Sequence, residues 1–254
     1  MSAFTERHVR AVRSLRAIWP SARLVVVGGL AVQHHTEMQW RTTNDIDFAI
    51  GIEIEEFPGK LEAASDWAND PDGHEHCKLF EGSLLADFLP VGPDAASKTQ
   101  ITWPDSGYSM TVIGFDLAFE YQSLASIGDG VQVAVADLAV VIILKMIAFL
   151  DRPPQRLRDV QDILAVLQWH ERGAGDRLFE EHVIKLDLPA DEAAAFLVGS
   201  DVAEVADGRC TPKIREFMDT VGAGQLDLAA VMRGMKGEAA RRLWTAMEAG
   251  LDSP

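Results

Sequence analysis

The run DIDFAI (45–50) constrains the fold more than any other stretch of the chain. Its isoleucines and phenylalanine belong in a core, yet two aspartates sit one residue apart among them. A strand satisfies both demands, because its side chains alternate between faces. Ile46 and Phe48 then point into the core while Asp45 and Asp47 project together on the other side. Like charges so close raise a pKa unless a cation lies between them. Oxygen-only donors on a rigid strand suit a hard ion, Mg²⁺ or Mn²⁺. The plainer alternative is a solvated strand face that happens to be acidic.

What precedes the pair bears on that choice. LVVV (24–27) is a short β-branched run closed by Gly28 and Gly29, and 30–38 follows as a helix. Backbone N–H groups at such a turn can cradle phosphate oxygens, and a helix N-terminus adds favourable potential. A tight turn is the simpler explanation of a glycine pair, and neither GxxxxGK[ST] nor GxGxxG is present. A third carboxylate, Asp87, lies among the apolar residues of 83–91. A buried aspartate needs a partner or a metal, and a strand beside the first would bring it to the Asp45/Asp47 face.

Residues 5–19 read as an amphipathic first helix that Pro20 ends. Strands are expected over 45–54, 83–91, 101–103, 108–115 and 131–135. A helix is expected over 60–68, followed by a loop through NDPDGHEH. From Ala136 the pattern is helical, over 137–150, 157–169, 176–185, 190–206, 211–220 and 226–250. The chain thus divides into a mixed α/β domain, 1–135, and an all-helical domain, 136–254.

A net charge of −16 opposes non-specific binding to nucleic acid or anionic membrane. Cys77 and Cys210 are the only cysteines and lie outside any CxxC spacing, so a disulfide framework is not expected and a reducing cytoplasm is the default. The N-terminus lacks the apolar segment of a signal peptide. The most apolar run, 138–150, falls short of the roughly 20 residues that span a bilayer and contains Lys145. Lys145 shares the apolar stripe of its helix, so it either snorkels outward or meets a buried anion, with Asp162 or a triphosphate as candidates.

GG-x-A, then R-x-T-x-D-I-D, then a strand bearing ADFLP resembles the nucleotidyltransferase fold of the DNA polymerase β superfamily, and most closely its AbiEii/AbiGii toxin-type branch. The resemblance continues into LKMIAFLDRPPQRLRDVQDI (144–163), similar to that branch's lysine-bearing helix and its following acidic segment. It implies an α/β fold with a short mixed sheet followed by an all-helical C-terminal region. It also implies transfer of a nucleoside monophosphate from an NTP, such as ATP, to an acceptor hydroxyl. Asp45, Asp47 and Asp87 would hold two divalent ions, Asp87 would serve as general base, and Lys145 would join the catalytic set. Gly28, Gly29, Arg41, Thr43, Lys145 and Asp159 would face the nucleotide. Gly29 stands where many relatives carry serine, so backbone contacts would have to serve there.

The acceptor implied is an RNA end such as that of tRNA, a protein or a small molecule. A toxin-like role with a cognate antitoxin protein is also implied. Two rival readings are a non-catalytic antitoxin-like module on the same fold and an aminoglycoside-type small-molecule transferase. Arg152, Arg156 and Arg158 either recognise phosphate or form a solvated helix start. His74, Glu75, His76 and Cys77 suggest zinc, but their clustering in one loop favours an exposed or structural role. Trp40 and Trp103 are expected in the core, and His34 and His35 on the helix after the glycine pair.

Overall fold

A computed structural model describes residues 3–36, 43, 45–92, 94, 97–222 and 237–253. The chain forms two compact units, Met1–Val141 and Ile142–Pro254. In the first unit, α1 (Glu6–Ile18) buries Val9, Val12 and Leu15, the apolar positions of its stripe. Eight further elements lead to the centre of the sheet and across it: β1 (Leu24–Val27), α2 (Gly28–Thr36), β2 (Asp45–Ile50), α3 (Phe57–Glu62), β3 (Trp67–Asn69), β4 (Cys77–Phe80), β5 (Leu84–Pro90) and β6 (Gln100–Thr102). They are followed by β7 (Ser109–Thr111), α4 (Phe115–Glu120), β8 (Gln122–Gly128) and β9 (Val131–Ala136).

Seven strands make one mixed sheet in the order β3-β4-β5-β2-β1-β9-β8, and β6 and β7 form a separate two-stranded ribbon. The β2/β5 and β1/β9 pairs are parallel, and the other pairs of the large sheet are antiparallel. One face of the central strands is fully apolar: Ile46, Phe48, Ala86 and Phe88 are all inaccessible to solvent. Aromatic rings fill the layer against it, with Phe57 packed on both Phe88 and Trp103 at centroid distances of 5.1 and 5.7 Å. Trp67 stands 5.5 Å from Phe88. Trp103 is thus a core residue, whereas Trp40 lies outside the described residues.

The start of α1 is fastened by a histidine. The Thr5 backbone N–H donates to His8 Nδ1 at 3.0 Å, and His8 is only 4% exposed. Burial, and then the charge of Arg7, hold the His8 pKa down at about 4. Between pH 6.5 and 4 the unfolded chain therefore binds a proton that the folded chain refuses, so this residue lowers stability as pH falls through that window. At full effect the loss is roughly 3 kcal/mol. Denaturant unfolding of wild type and His8→Gln at pH 7 and pH 4 measures it: the wild type is expected to lose about that much more than the variant. Parallel pH curves would rule the histidine out.

In the second unit, α5 (Leu138–Asp151), which crosses the unit boundary, is followed by α6 (Leu157–Gly173), a 3₁₀ turn over Gly175–Phe179 and α7 (Glu181–Ile184). Then come α8 (Ala190–Val205), α9 (Cys210–Thr220) and α10 (Gly237–Leu251). The backbones of α8 and α10 touch at two glycines. A Cβ at Gly199 would overlap the Met247 carbonyl oxygen, and one at Gly250 would overlap that of Phe196.

The expected helix over 60–68 is instead the end of α3 and the strand β3. Pairing decides it: Trp67 lies opposite Phe80 of β4, and the rings meet at 4.8 Å. The expected loop through NDPDGHEH runs into β4, and 108–115 gives only the three-residue β7 before α4. The expected strand over 45–54 stops at Ile50. Residues 176–185 form a 3₁₀ turn and one short helix rather than a continuous helix. Of the last helix, expected over 226–250, residues 237–251 are seen as α10, and 223–236 lie outside the described residues.

Candidate active site

Val27, Asp47, Asp87 and Cys77 are successive register partners on β1, β2, β5 and β4. Directly opposed residues share a face, so Asp47 and Asp87 stand side by side with Cys77 next in the row. Asp45, two residues before Asp47, shares that face opposite Leu85. All three aspartates are half-buried, while Ile46 and Phe48 between and beside them are fully buried. The alternation of the opening run is therefore real, and β5 supplies its third carboxylate.

Because β1 and β2 are antiparallel, β2 begins where β1 ends. The first residue of α2 consequently lies over Asp47. Gly28 has φ +65°, and a Cβ there would fall on the Asp47 carboxylate. Glycine is required at this position twice over, for its backbone conformation and for the room it leaves. Gly29 is buried in the first turn of α2, so the pair opens the helix rather than forming a separate loop. His35, further along α2, donates from Nε2 to the Ala136 carbonyl at 2.7 Å, which ties the helix to the end of β9. Gly28→Ala is expected to cost about 1–3 kcal/mol in stability and to lower activity at least tenfold by displacing Asp47. Unfolding and turnover of the variant check both, and wild-type values would show that the close approach is unimportant.

Thr43 precedes β2 with its Oγ1 buried and without a hydrogen-bond partner among the described residues. Arg41 lies outside them. Asp45, Asp47 and Asp87 offer only oxygen, on one rigid face and half-open to solvent. That donor chemistry is the kind a hard divalent cation takes, while among the described residues the donor trios that lie within 4.8 Å are the two that share Cys77.

Asp87 has a neighbour that sequence spacing did not reveal. The Cys77 thiol donates to Asp87 Oδ1 at 2.6 Å. Burial pushes the thiol pKa well up, and the charge of Asp87 and its hydrogen bond add to the rise. His76, Cys77 and Asp87 bring one donor atom each to within 4.8 Å of one another, as do Asp70, His74 and Cys77. The HEHC cluster was visible in the sequence. Its attachment to Asp87 depends on the β4/β5 register, which spacing alone does not give.

Lys145 and Asp159 belong to the second unit. Lys145 Nζ donates to Asp159 Oδ1 at 2.9 Å and lies 2.7 Å from Asp162 Oδ2, with all three side chains buried. Burial pulls the ammonium pKa down, but the two carboxylates outweigh it and hold it above the ordinary lysine value. Arg156 adds a looser contact to Asp159 at 3.9 Å.

A carboxylate pair beside a glycine-opened helix N-terminus suits chemistry on phosphate esters, and the chain is a nucleotidyltransferase. The family model of the nucleotidyl transferase AbiEii toxin, of type IV toxin–antitoxin systems, matches residues 17–254. The chain belongs to that family. No curated protein is significantly similar in sequence. Among solved structures, the chain is similar to the antibiotic-resistance factor ANT(2'')-Ia in solution, at 13% identity and a TM-score of 0.38. That alignment covers 88% of this chain and 96% of the other. Among the described residues, no helix is long and apolar enough to cross a membrane.

Proposed function

We propose that the protein moves a nucleoside monophosphate from an NTP to an acceptor hydroxyl, with Asp45, Asp47 and Asp87 as its catalytic carboxylates. The register pairing of Asp47 with Asp87, beneath Gly28, is the observation that supports this most. The three side chains would hold Mg²⁺ or Mn²⁺, two ions in the family's manner. Bound there, the ions supply charge neutralisation for the triphosphate and acidify the acceptor hydroxyl.

The chain's own part is positioning. The N-terminus of α2, opened by Gly28 and Gly29, offers backbone N–H groups to phosphate oxygens. Arg41 and Thr43, just before β2, are placed in sequence to shape the nucleotide side. Asp87 accepts the acceptor's proton as its oxygen bonds to the α-phosphorus. The bond from the α-phosphorus to the bridging oxygen breaks, and pyrophosphate leaves. Lys145 and Asp159, expected to face the nucleotide, are given a positioning role instead, because Lys145 Nζ is engaged by Asp159 and Asp162 and the cluster joins α5 to α6.

We place the protein as the toxin-like component of a two-protein system with a cognate antitoxin, acting in the cytoplasm. The acceptor is decided by incubation with α-labelled NTPs, Mg²⁺, total RNA and cell lysate, followed by separation of RNA, protein and small molecules. Label in one fraction identifies the acceptor class, whether RNA, protein or small molecule. Label confined to small molecules would instead favour an aminoglycoside-type activity.

A further inference from the structure

Cys77 sits in a setting that its hydrogen bond to Asp87 does not account for. Two trios of potential ligands converge on its sulfur, one with His76 and Asp87 and the other with Asp70 and His74. Sulfur and imidazole donors select borderline-soft cations such as Zn²⁺ over the hard ions that carboxylates alone prefer. Tetrahedral coordination with Zn–S and Zn–N bonds of about 2.0–2.3 Å needs only a small contraction of a trio already within 4.8 Å.

The surroundings suit an incoming ion. In the second trio, on the other side of the shared sulfur, Asp70 lies 2.7 Å from His74 Nδ1, a carboxylate–histidine pairing that orients that ring. A cleft of about 240 Å³, lined by Glu62, Asp70, His74, Glu75, Lys78 and Asp105 among others, opens beside His74 with four carboxylates against one lysine. Glu75 braces one wall by accepting from the Asp105 and Ser106 backbone N–H groups at 2.8 and 2.9 Å.

We infer that His76, Cys77 and Asp87 form a binding site for a thiolate-seeking divalent cation of the Zn²⁺ class, and that its occupancy withholds Asp87 from nucleotidyl transfer. On binding, the thiol releases its proton to solvent and sulfur coordinates as thiolate. The inhibitory half rests on the reading of Asp87 as a transferase carboxylate, and the binding half does not.

The test uses the full chain, stripped of metal and titrated with Zn²⁺ against a chromophoric chelator. One equivalent is expected to bind, and Co²⁺ in its place is expected to give thiolate-to-cobalt charge-transfer absorption. Cys77→Ala and His76→Ala should each weaken Zn²⁺ binding at least about tenfold. Asp45→Asn should keep it, since Asp45 lies outside the trio. Cys77→Ser, which retains a hydrogen-bond donor to Asp87, guards against loss of folding and should also lose the cobalt band. In saturating Mg²⁺, added Zn²⁺ should suppress wild-type transfer, and Cys77→Ala should resist it relative to its own zinc-free rate. Absence of stoichiometric binding, or equal affinity in folded Cys77→Ser, overturns the site. Tight binding with undiminished transfer overturns the inhibition. Tight binding by a protein that transfers no label under any metal contradicts the transferase reading and leaves the zinc site standing.

Discussion

Asp47→Asn is expected to lower nucleotidyl transfer by about 10²–10³-fold, which matches the several kcal/mol that a bound divalent ion contributes to a phosphoryl transition state. The substitution keeps size and removes charge at the residue that lies beside Asp87 and under Gly28. Asp47 is half-buried on the open face of the sheet, while the core face carries Ile46 and Phe48. Its thermal midpoint should therefore stay within a few degrees of wild type. Steady-state rates under saturating Mg²⁺, set beside thermal unfolding, separate the two effects. A folded Asp47→Asn protein with wild-type turnover would remove the carboxylate face from the mechanism.

The second large effect concerns stability. Lys145→Ala leaves Asp159 and Asp162 buried without their shared cation, and breaking a buried ion pair from one side costs about 3–5 kcal/mol. Asp162 bears the most, since its side chain is only 1% exposed. Adding Asp159→Asn and Asp162→Asn to Lys145→Ala should restore more than half of the loss, because the stranded charges are then gone. Chemical denaturation of the single and triple variants reads both numbers. A Lys145→Ala protein within about 1 kcal/mol of wild type would show that the cluster is more hydrated than its burial implies. Rates measured well below the unfolding transition separate structure from catalysis: a folded Lys145→Ala protein should lose much less activity than Asp47→Asn.

Particular residues show what could be read from the sequence and what could not. The two-residue period of DIDFAI fixed which side chains face the core, since a strand has only two faces. Asp87 was legible because an aspartate among leucines and phenylalanine needs an explanation. Lys145 was legible for the same reason, and the anions it meets are Asp159 and Asp162. Strand pairing was not legible where strands are short. Residues 67–69 carry too little local signal to compete with the helical spacing around them, and only pairing with β4, where Trp67 meets Phe80, makes them a strand. The bond of Cys77 to Asp87, and the nearness of His76 to both, escaped for a related reason. It arises from the β4/β5 register across a tight hairpin, a relation that residue types do not encode.

In the proposed reaction the Asp45/Asp47/Asp87 face drives transfer of the α-phosphoryl group with its nucleoside. Parallel incubations with α-labelled and γ-labelled NTP, Mg²⁺ and acceptor-containing lysate test it most directly. The α-label is expected to join the acceptor while γ-label departs in pyrophosphate, with chelation of the metal stopping both and Asp47→Asn slowing both by about 10²–10³-fold. Folded wild-type protein that moves γ-label to the acceptor, or moves no label from any NTP with Mg²⁺ or Mn²⁺, would contradict it.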